Sequence, residues 1–405
     1  MIAMDLRDLP EGLSSPERCE ERRRRIEHAL GIDLSALRVH PETLGAAEER
    51  NCEQMFGQLP LPVGLAGPLA VTFSCGETLD IDLPLATTEG ALVASVNRGC
   101  KAVTASGGAT VRSLYRGVTR SMAFRMGHGT WDMGKLTDEI QKKYSQWKDA
   151  GEATSGHLKM LSYDIDVSEP YIFLTIACDT DEAMGMNMTT IAADAIALWI
   201  EKNIPGLRSV CTAANVDSDK KPSRRTHDKG RGYEVTAEVL LTPTIVKEVL
   251  RTTPERMLEV ADAKLTHGSN IAGAIGANLH AANIIAALYL ATGQDAAHVV
   301  EGSLADTFVE ERELGLGLGT GLGVESGIFI QTKLPAILVG VRGGGTTLPA
   351  QMQCRNILLK TGTALKPVQQ LAESIGAAVL AGEISLLAAL ATHDLGKAHR
   401  KLGRK

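Results

Sequence analysis

Four separated parts of the sequence carry residues that could act as acids or cations. They are Glu89, the run Asp219-Lys220-Lys221, Asp295 and His399. Each by itself is weak evidence for a functional site, because an acid in a helix's first turn usually complements the helix dipole and a terminal histidine is usually exposed. Converging in one cleft, they would supply a proton donor, a cation, a carboxylate that tunes the cation, and a second acid. That set suits reduction of a carbonyl, in which the cation stabilises the developing oxyanion.

The run DKKP, residues 219–222, falls where the local pattern predicts a turn or loop. Two adjacent lysines, a carboxylate and a proline most often form a solvated loop, so the run alone does not indicate a site. On an extended loop, however, Lys220 and Lys221 would point in opposite directions, and Pro222 would stiffen the exit. The two ammonium groups could then serve two different oxygen atoms.

The composition indicates a globular protein and excludes several classes. The chain has 405 residues, enough for two or three domains, and its net charge of −6 argues against nucleic-acid binding. The seven cysteines include no CxxC pair and the ten histidines no HxxxH or HExxH pattern, which predicts reduced thiols and no metal. The N-terminus lacks the apolar segment of a signal peptide. We therefore expect a soluble, cytoplasmic protein.

Apolar periodicity and capping residues predict the elements that position these groups. The predicted elements are a charged surface helix in 16–30 whose four successive arginines form a solvated face, paired strands in 69–75 and 78–86, a helix in 87–103 capped by Thr87 or Thr88 with Glu89 in its first turn, a strand in 233–241, helices starting at Thr242-Pro243 and Thr253-Pro254, and, in 385–405, an amphipathic helix that runs into a basic tail.

Residues 271–292 are apolar enough to cross a bilayer. However, Asn278, His280 and Asn283 lie within this segment, and no aromatic belt flanks it. Its richness in alanine and glycine predicts instead a single helix buried at the centre of a soluble protein.

A strand in 171–178 followed by a helix in 181–203 forms a unit that can receive a phosphate-bearing cofactor at the helix start. Any strand and helix pair looks similar, so the unit alone is weak support. The run GLGLGTGLG, residues 315–323, has the look of a nucleotide fingerprint. It lacks a βαβ frame and a later acidic residue, so a flexible turn is the better interpretation.

Eight stretches of the sequence, in order, resemble the catalytic part of hydroxymethylglutaryl-CoA (HMG-CoA) reductase, which makes mevalonate. They are PLPVGLAGPL (60–69), TTEGALVASVNRGCKAV (87–103), GVTRSMAFR (117–125), EAMGMNM (182–188), DKKPS (219–223), HAANIIAALYLATGQDAA (280–297), GGGTTLP (343–349) and SLLAALATHDLGKAH (385–399). The DKKPS motif resembles the form of the motif shared by eukaryotic and archaeal members more than the form typical of the bacterial second class.

The resemblance implies a two-step, four-electron reduction using two NAD(P)H, or its reverse. Lys220 would hold the carbonyl oxygen of the thioester and then of the aldehyde, and Glu89 would protonate the aldehyde oxygen. Asp295 would lie between Lys220 and Glu89, and His399 would protonate the departing CoA thiolate. The hydroxymethylglutaryl end would be bound by Arg120, Asp219, Lys221, Lys264 and Asn283. The cofactor would be bound near Asp179, Met184, Gly185, Met186 and Asn187.

Two positions depart from the NADPH-using relatives, which commonly carry arginines there. Asp179 and Gly156 stand at the aligned positions. A carboxylate repels a 2′-phosphate but accepts hydrogen bonds from a free ribose 2′-hydroxyl. We therefore expect a preference for NADH; the alternative is that Asp179 merely ends a strand.

The fold that the resemblance implies is α+β. Its parts would be an N-terminal helical region (1–57), a large substrate domain around a buried central helix (58–121 and 213–405), and an inserted small α/β NAD(P)-binding domain (122–212). The family's site is built from two protomers, so we expect a homodimer or higher homo-oligomer, although EQMFG (53–57) replaces the family's dimer segment. No serine follows His399, which excludes phosphorylation there, and we expect no membrane anchor of the kind found in animal relatives.

Two alternatives remain for the function. Another acyl-CoA or aldehyde oxidoreductase is disfavoured, because Arg120, Lys221 and Lys264 together suit a substrate with a free carboxylate. A catalytically inactive CoA-binding homologue is disfavoured because all four reactive positions are retained.

Overall fold

The computed structural model describes residues 5–127, 132–314 and 326–392. The helices are α1 (Ser15–Leu30), α2 (Pro41–Leu44), α3 (Ala47–Arg50), α4 (Leu92–Ala105), α5 (Met133–Lys142), α6 (Tyr144–Glu152), α7 (Met186–Asn203), α8 (Arg224–Lys229), α9 (Pro243–Ile245), α10 (Pro254–Ala261), α11 (Ser269–Ala272), α12 (Ala281–Thr292), α13 (Val299–Gly302), α14 (Pro349–Leu358) and α15 (Pro367–Ala391). The strands are β1 (Val63–Thr72), β2 (Thr78–Ala86), β3 (Ala109–Met126), β4 (Lys159–Ser168), β5 (Tyr171–Asp179), β6 (Leu207–Cys211), β7 (Gly232–Leu241), β8 (Asp306–Glu313) and β9 (Ser326–Ile337). Short 3-10 turns and π-helical segments complete them, at Ser35–Leu37, Val246–Leu250, Asp262–Gly268, Ala296–His298 and Gly344–Thr347.

The long strand β3 belongs to two sheets. Its first half pairs with β7 within the strand order β2-β1-β3-β7-β9-β8, and its second half pairs with β5 and β6. Between the halves lies Gly117, with a φ of +83° and space so limited that a Cβ would lie 3.1 Å from the Cys178 amide nitrogen. Glycine is therefore required where one sheet gives way to the other.

The larger core lies between the β2-β1-β3-β7-β9-β8 sheet and helices α4, α12 and α15. Helix α15 passes through this core, and its small residues let it pack closely against β7. A Cβ at Gly376, for example, would lie 2.4 Å from Val235. Within the described residues, α15 is the one helix long and apolar enough to span a membrane, yet 83% of its most apolar window is buried inside the protein. It is a core helix.

The second core lies between the sheet of β4, β5, β6 and the end of β3 and the helices α5, α6 and α7. Alternate residues of β5, Ile172, Leu174 and Ile176, are fully buried in it. The strand predicted in 171–178 is thereby confirmed, as are the paired strands β1 and β2, the strand β7 and the mixed α+β class. The two Thr-Pro helix starts are also confirmed, because Thr242 and Thr253 accept the expected hydrogen bonds from backbone N–H groups.

The single helix predicted in 271–292 is wrong. The chain leaves its helix at Gly273 (φ +64°), turns again at Gly276 (φ +81°), and α12 begins only at Ala281. The central helix is instead α15, and residues 385–391 of the predicted amphipathic helix are its end, which is buried on most sides. Glycine can adopt the left-handed conformation without cost, and here it interrupts an otherwise apolar run.

Three smaller predictions are also wrong. Helix α4 begins after Ala91, which has a φ of +74°, so neither predicted threonine caps it and Glu89 precedes the helix. Helix α7 begins at Met186, because Gly185 has a φ of +88°. Arg22 and Arg23 are buried in ion pairs with glutamates, so the four arginines of α1 do not form a solvated face.

Candidate active site

Lys220 and Asp295 form an ion pair, with Lys220 Nζ 2.7 Å from Asp295 Oδ2. Asp295 is held from both sides: the Gln294 side chain exchanges two hydrogen bonds with the backbone of Gly340, and Asp295 Oδ1 accepts the Ala297 N–H. Burial would raise the pKa of Asp295, but the hydrogen bonds from Lys220 and Ala297 outweigh it and hold the pKa below its usual value. Asp295 is therefore ionised at neutral pH and orients the ammonium group.

The loop that carries Lys220 is a tight turn. Ser218 and Lys220 have φ values of +51° and +56°, in the left-handed region that residues with a Cβ rarely adopt. The Lys220 N–H donates to Glu301 Oε1 at 2.6 Å, while Lys221 Nζ donates back to the Asp219 carbonyl at 3.1 Å. The expectation of an extended loop is therefore wrong.

Behind the loop lies Arg231, whose side chain is 1% exposed. Its Nη1 is 3.0 Å from Asp219 Oδ1 and 2.8 Å from Glu301 Oε1, and its Nη2 contacts Met186 Sδ at 3.0 Å. The buried His298 places Nδ1 3.3 Å from the same glutamate oxygen. This arginine joins the lysine loop to the first residue of α7.

Arg120 on β3 makes a second connection. Its Nη1 lies 3.3 Å from Asp217 Oδ2 and 3.4 Å from Asp219 Oδ2, and its Nε donates to Thr190 Oγ1 on α7 at 3.0 Å. Burial raises the pKa of Asp217. Burial would also raise the pKa of Asp219, but the charge and hydrogen bond of Arg231 outweigh it and lower that pKa.

These residues form one connected group, here named the ionic cluster: Arg120, Asp217, Asp219, Lys220, Arg231, Asp295, His298 and Glu301. Three of its members, Asp219, His298 and Glu301, bring ligand-type atoms within 4.8 Å of one another. The Arg231 guanidinium already contacts both carboxylates of this trio, so a side chain compensates part of their charge. The arrangement suits the orientation of the Lys220 ammonium group better than the binding of a metal ion.

The predicted cofactor residues lie at the start of α7. A Cβ on Gly185 would lie 2.3 Å from three atoms of Thr180, so the turn that opens the helix admits only glycine. Met186 is buried and Asn187 is exposed, and the Met184 backbone packs against Gly340. This connects the helix start to the segment that holds Asp295 in place.

Asp179 is the last residue of β5 and is partly buried. Its Oδ1 accepts the N–H of Asp181 at 2.9 Å, which leaves the other carboxylate oxygen for a further partner. The interpretation of Asp179 as a strand end and a role toward a cofactor are therefore compatible.

The remaining predicted residues stand apart from the ionic cluster. Glu89 is exposed and its N–H donates to Thr87 Oγ1, Lys264 is exposed on the Asp262–Gly268 segment, and Asn283 is partly buried on α12. Across the described ranges, no hydrogen bond or ion pair joins these three side chains to the cluster. His399 and the glycine run 315–323 lie outside the described residues.

Sequence reasoning missed four members of the ionic cluster: Asp217, Arg231, His298 and Glu301. One signal was present: Asp295, His298 and Glu301 are spaced by three residues, which puts ionisable side chains on one face of a helical turn. Around Arg231, only the two flanking glycines, Gly230 and Gly232, could have indicated a functional position in the sequence.

Comparisons with known proteins identify the family. The model of the hydroxymethylglutaryl-coenzyme A reductase family matches residues 18–404. The 3-hydroxy-3-methylglutaryl-coenzyme A reductases of Methanothermobacter thermautotrophicus and Methanocaldococcus jannaschii are each 39% identical, covering 95% of this chain and 92% of theirs. Reductase 1 of Dictyostelium discoideum is 35% identical over 95% of this chain and 68% of its own.

A class II 3-hydroxy-3-methylglutaryl-CoA reductase of Streptococcus pneumoniae, solved with bound NADPH, has a similar fold. Its TM-score is 0.64 at 18% identity, covering 93% of this chain and 97% of that chain. At that identity the likeness concerns the fold, whereas the family match and the archaeal relatives span nearly the whole sequence. The chain belongs to the hydroxymethylglutaryl-coenzyme A reductase family.

Proposed function

We propose that this protein reduces HMG-CoA to mevalonate and CoA, or catalyses the reverse, with Lys220 as the group that stabilises the reacting oxygen. The observation that carries the proposal is the Lys220–Asp295 pair, in which an ionised carboxylate orients an ammonium group. Family membership makes the protein an NAD(P)H-dependent oxidoreductase. Bound NAD(P)H supplies the two hydrides that the reaction consumes.

In the first step the thioester carbonyl becomes an oxyanion. Lys220 stabilises this charge as it develops, because its ammonium is held in place before the reaction begins. Collapse of the adduct expels the CoA thiolate, and His399 protonates the thiolate. In the second step Lys220 stabilises the aldehyde oxygen and Glu89 gives it the proton that completes the alcohol.

The substrate's free carboxylate calls for cations beyond the ionic cluster. Within the cluster, Asp217, Asp219, Asp295 and Glu301 outnumber its arginines and lysine, so we assign this binding to Lys221 and Lys264, with Arg120, Asp219 and Asn283 shaping the pocket. Lys264 is exposed and apart from the cluster in one chain, and Ile271 close to it is 89% exposed. This exposure supports a homodimer in which a second protomer completes the site.

The two hydrophobic cores support the predicted division of the chain into domains. The separate hydrophobic core formed by residues between Met122 and Leu207 supports an inserted cofactor domain at 122–212, beside the N-terminal region 1–57 and the large domain 58–121 and 213–405. The cytoplasmic location stays a prediction; all seven cysteines are free thiols.

The preference between cofactors is assigned to Asp179. Its position, at the end of β5 and six residues before Gly185, suits contact with the adenosine ribose, and its carboxylate favours NADH over NADPH. Asp179→Arg should raise turnover with NADPH relative to NADH. No gain with NADPH in this variant would contradict the assignment.

The decisive experiment measures steady-state oxidation of NADH and of NADPH by the purified protein with HMG-CoA, beside Lys220→Ala. We expect turnover in the wild type, faster with NADH, and binding of HMG-CoA without turnover in the variant. Faster turnover with NADPH would remove the cofactor assignment and keep the enzyme. Binding without turnover in the wild type would favour the catalytically inactive homologue.

A further inference from the structure

Glu301 is a buried carboxylate that makes all its contacts through one oxygen. The side chain is fully buried, and Oε1 lies 2.6 Å from the Lys220 backbone nitrogen, 2.8 Å from Arg231 Nη1 and 3.3 Å from His298 Nδ1. Its Oε2 has no hydrogen-bond partner among the described residues. A carboxylate oxygen without a partner in a protein interior is costly, so the contacts of the other oxygen must offset that cost.

The Lys220 backbone needs an acceptor at this place. Its φ of +56° is unfavourable for a residue with a Cβ, and its N–H points at the fully buried Glu301 carboxylate. The short bond to a carboxylate stabilises that conformation, because charge-assisted hydrogen bonds are the strong ones. The same conformation aims the side chain so that Nζ reaches Asp295 at 2.7 Å.

We propose that Glu301 is a positioning residue for the reaction: its Oε1 accepts the Lys220 N–H and so fixes the strained backbone from which the Lys220 ammonium works. Arg231 and His298 hold that oxygen in place from the other side. The inference rests on the proposed role of Lys220, and it adds a residue 81 positions away along the chain.

Two conservative variants distinguish the effect of the side-chain length at position 301 from the effect of its charge. Glu301→Gln keeps the side-chain length and can place its amide oxygen where Oε1 lies, with the amide nitrogen at the position of the unpaired Oε2. Glu301→Asp keeps the charge for Arg231 but is one methylene shorter, which withdraws the oxygen from the Lys220 N–H by about 1.5 Å. Positioning predicts that the glutamine variant works and the aspartate variant does not; a purely ionic role predicts the opposite.

We expect Glu301→Asp to lower kcat about 100-fold, the cost of a misplacement of about 1 Å, while KM for HMG-CoA and for NAD(P)H changes less than about threefold. Glu301→Gln should retain kcat within about fivefold of the wild type. The matched control is Glu373→Gln, a fully buried carboxylate on α15 that accepts hydrogen bonds from Ser74 and Ser113 and does not contact the cluster. It should lower the unfolding midpoint and leave kcat unchanged.

Hydrogen–deuterium exchange of peptides spanning residues 215–224 provides a readout that needs no substrate. The Lys220 amide should exchange faster in Glu301→Asp and as slowly as in the wild type in Glu301→Gln. Unchanged exchange in the aspartate variant, a glutamine variant less active than the aspartate one, or an equal kcat loss in Glu373→Gln would overturn the inference. Absence of turnover in the wild type would defeat the proposed function, and the exchange measurement would still decide whether Glu301 holds the Lys220 backbone.

Discussion

Replacement of Arg231 by methionine should destabilise the protein strongly. The variant keeps an unbranched side chain of similar length but removes the guanidinium that lies 3.0 Å from Asp219 and 2.8 Å from Glu301. At these distances each pair has a Coulomb energy of about 5–6 kcal/mol at an effective dielectric constant of 20, which desolvation largely offsets in the intact pair. Removing Arg231 leaves the fully buried Glu301 without its cation, and the partly buried Asp219 with Arg120 alone at 3.4 Å. We expect a loss of about 3–5 kcal/mol in the free energy of unfolding.

The loss should depend on pH. In the wild type, burial would raise the pKa of Asp219 but Arg231 lowers it, so the pair's contribution is complete above the unfolded-state pKa of about 4 and disappears as the pH falls through the lower folded-state pKa. Without Arg231, burial acts with less opposition and Asp219 takes up a proton more readily. The difference between wild type and variant should therefore shrink as the pH falls from 7 toward 4.

Urea unfolding of both proteins at pH 7 and at pH 4.5 tests this reasoning. The matched control is Arg116→Met, which removes a 3.2 Å pair with Glu234 from an arginine side chain that is 40% exposed. Exposed pairs contribute little, so the control should lose less than about 1 kcal/mol. A loss below about 1 kcal/mol in Arg231→Met, or equal losses at the two pH values, would refute the account of the buried pair.

Three further outcomes follow from contacts in and around the site. Asp295→Asn should lower kcat by about 10²–10³ while unfolding in urea changes by less than about 1 kcal/mol, because the half-exposed pair matters to the reacting charge more than to the fold. Gly185→Ala should lower the thermal unfolding midpoint and raise KM for NAD(P)H, because the new Cβ meets Thr180 at 2.3 Å; an unchanged KM would separate this turn from the cofactor site. Glu383→Ala should cost at least about 2 kcal/mol in urea unfolding, because it removes the acceptor of two backbone N–H groups and one hydroxyl; a smaller cost would mean that water replaces it.

Local sequence patterns correctly predicted those helices and strands that neighbouring residues along the chain are enough to specify. Alternating apolar residues predicted β2 and β7, and a threonine before a proline predicted the helix starts at Thr242 and Thr253. The choice of central helix was not local. Residues 271–292 and 367–391 are both apolar and rich in small residues, and their packing partners decide which of them runs unbroken through the core.

The sequence by itself determined the family, because the motifs that carry Lys220 and Asp295 match it in their order and residue types. Only the tertiary structure decided how these residues are held. Arg231 meets Glu301 across 70 positions of chain and Lys220 meets it across 81. No local pattern encodes such contacts, because the cost of losing one partner of an ion pair depends on its burial, and burial is a property of the assembled fold.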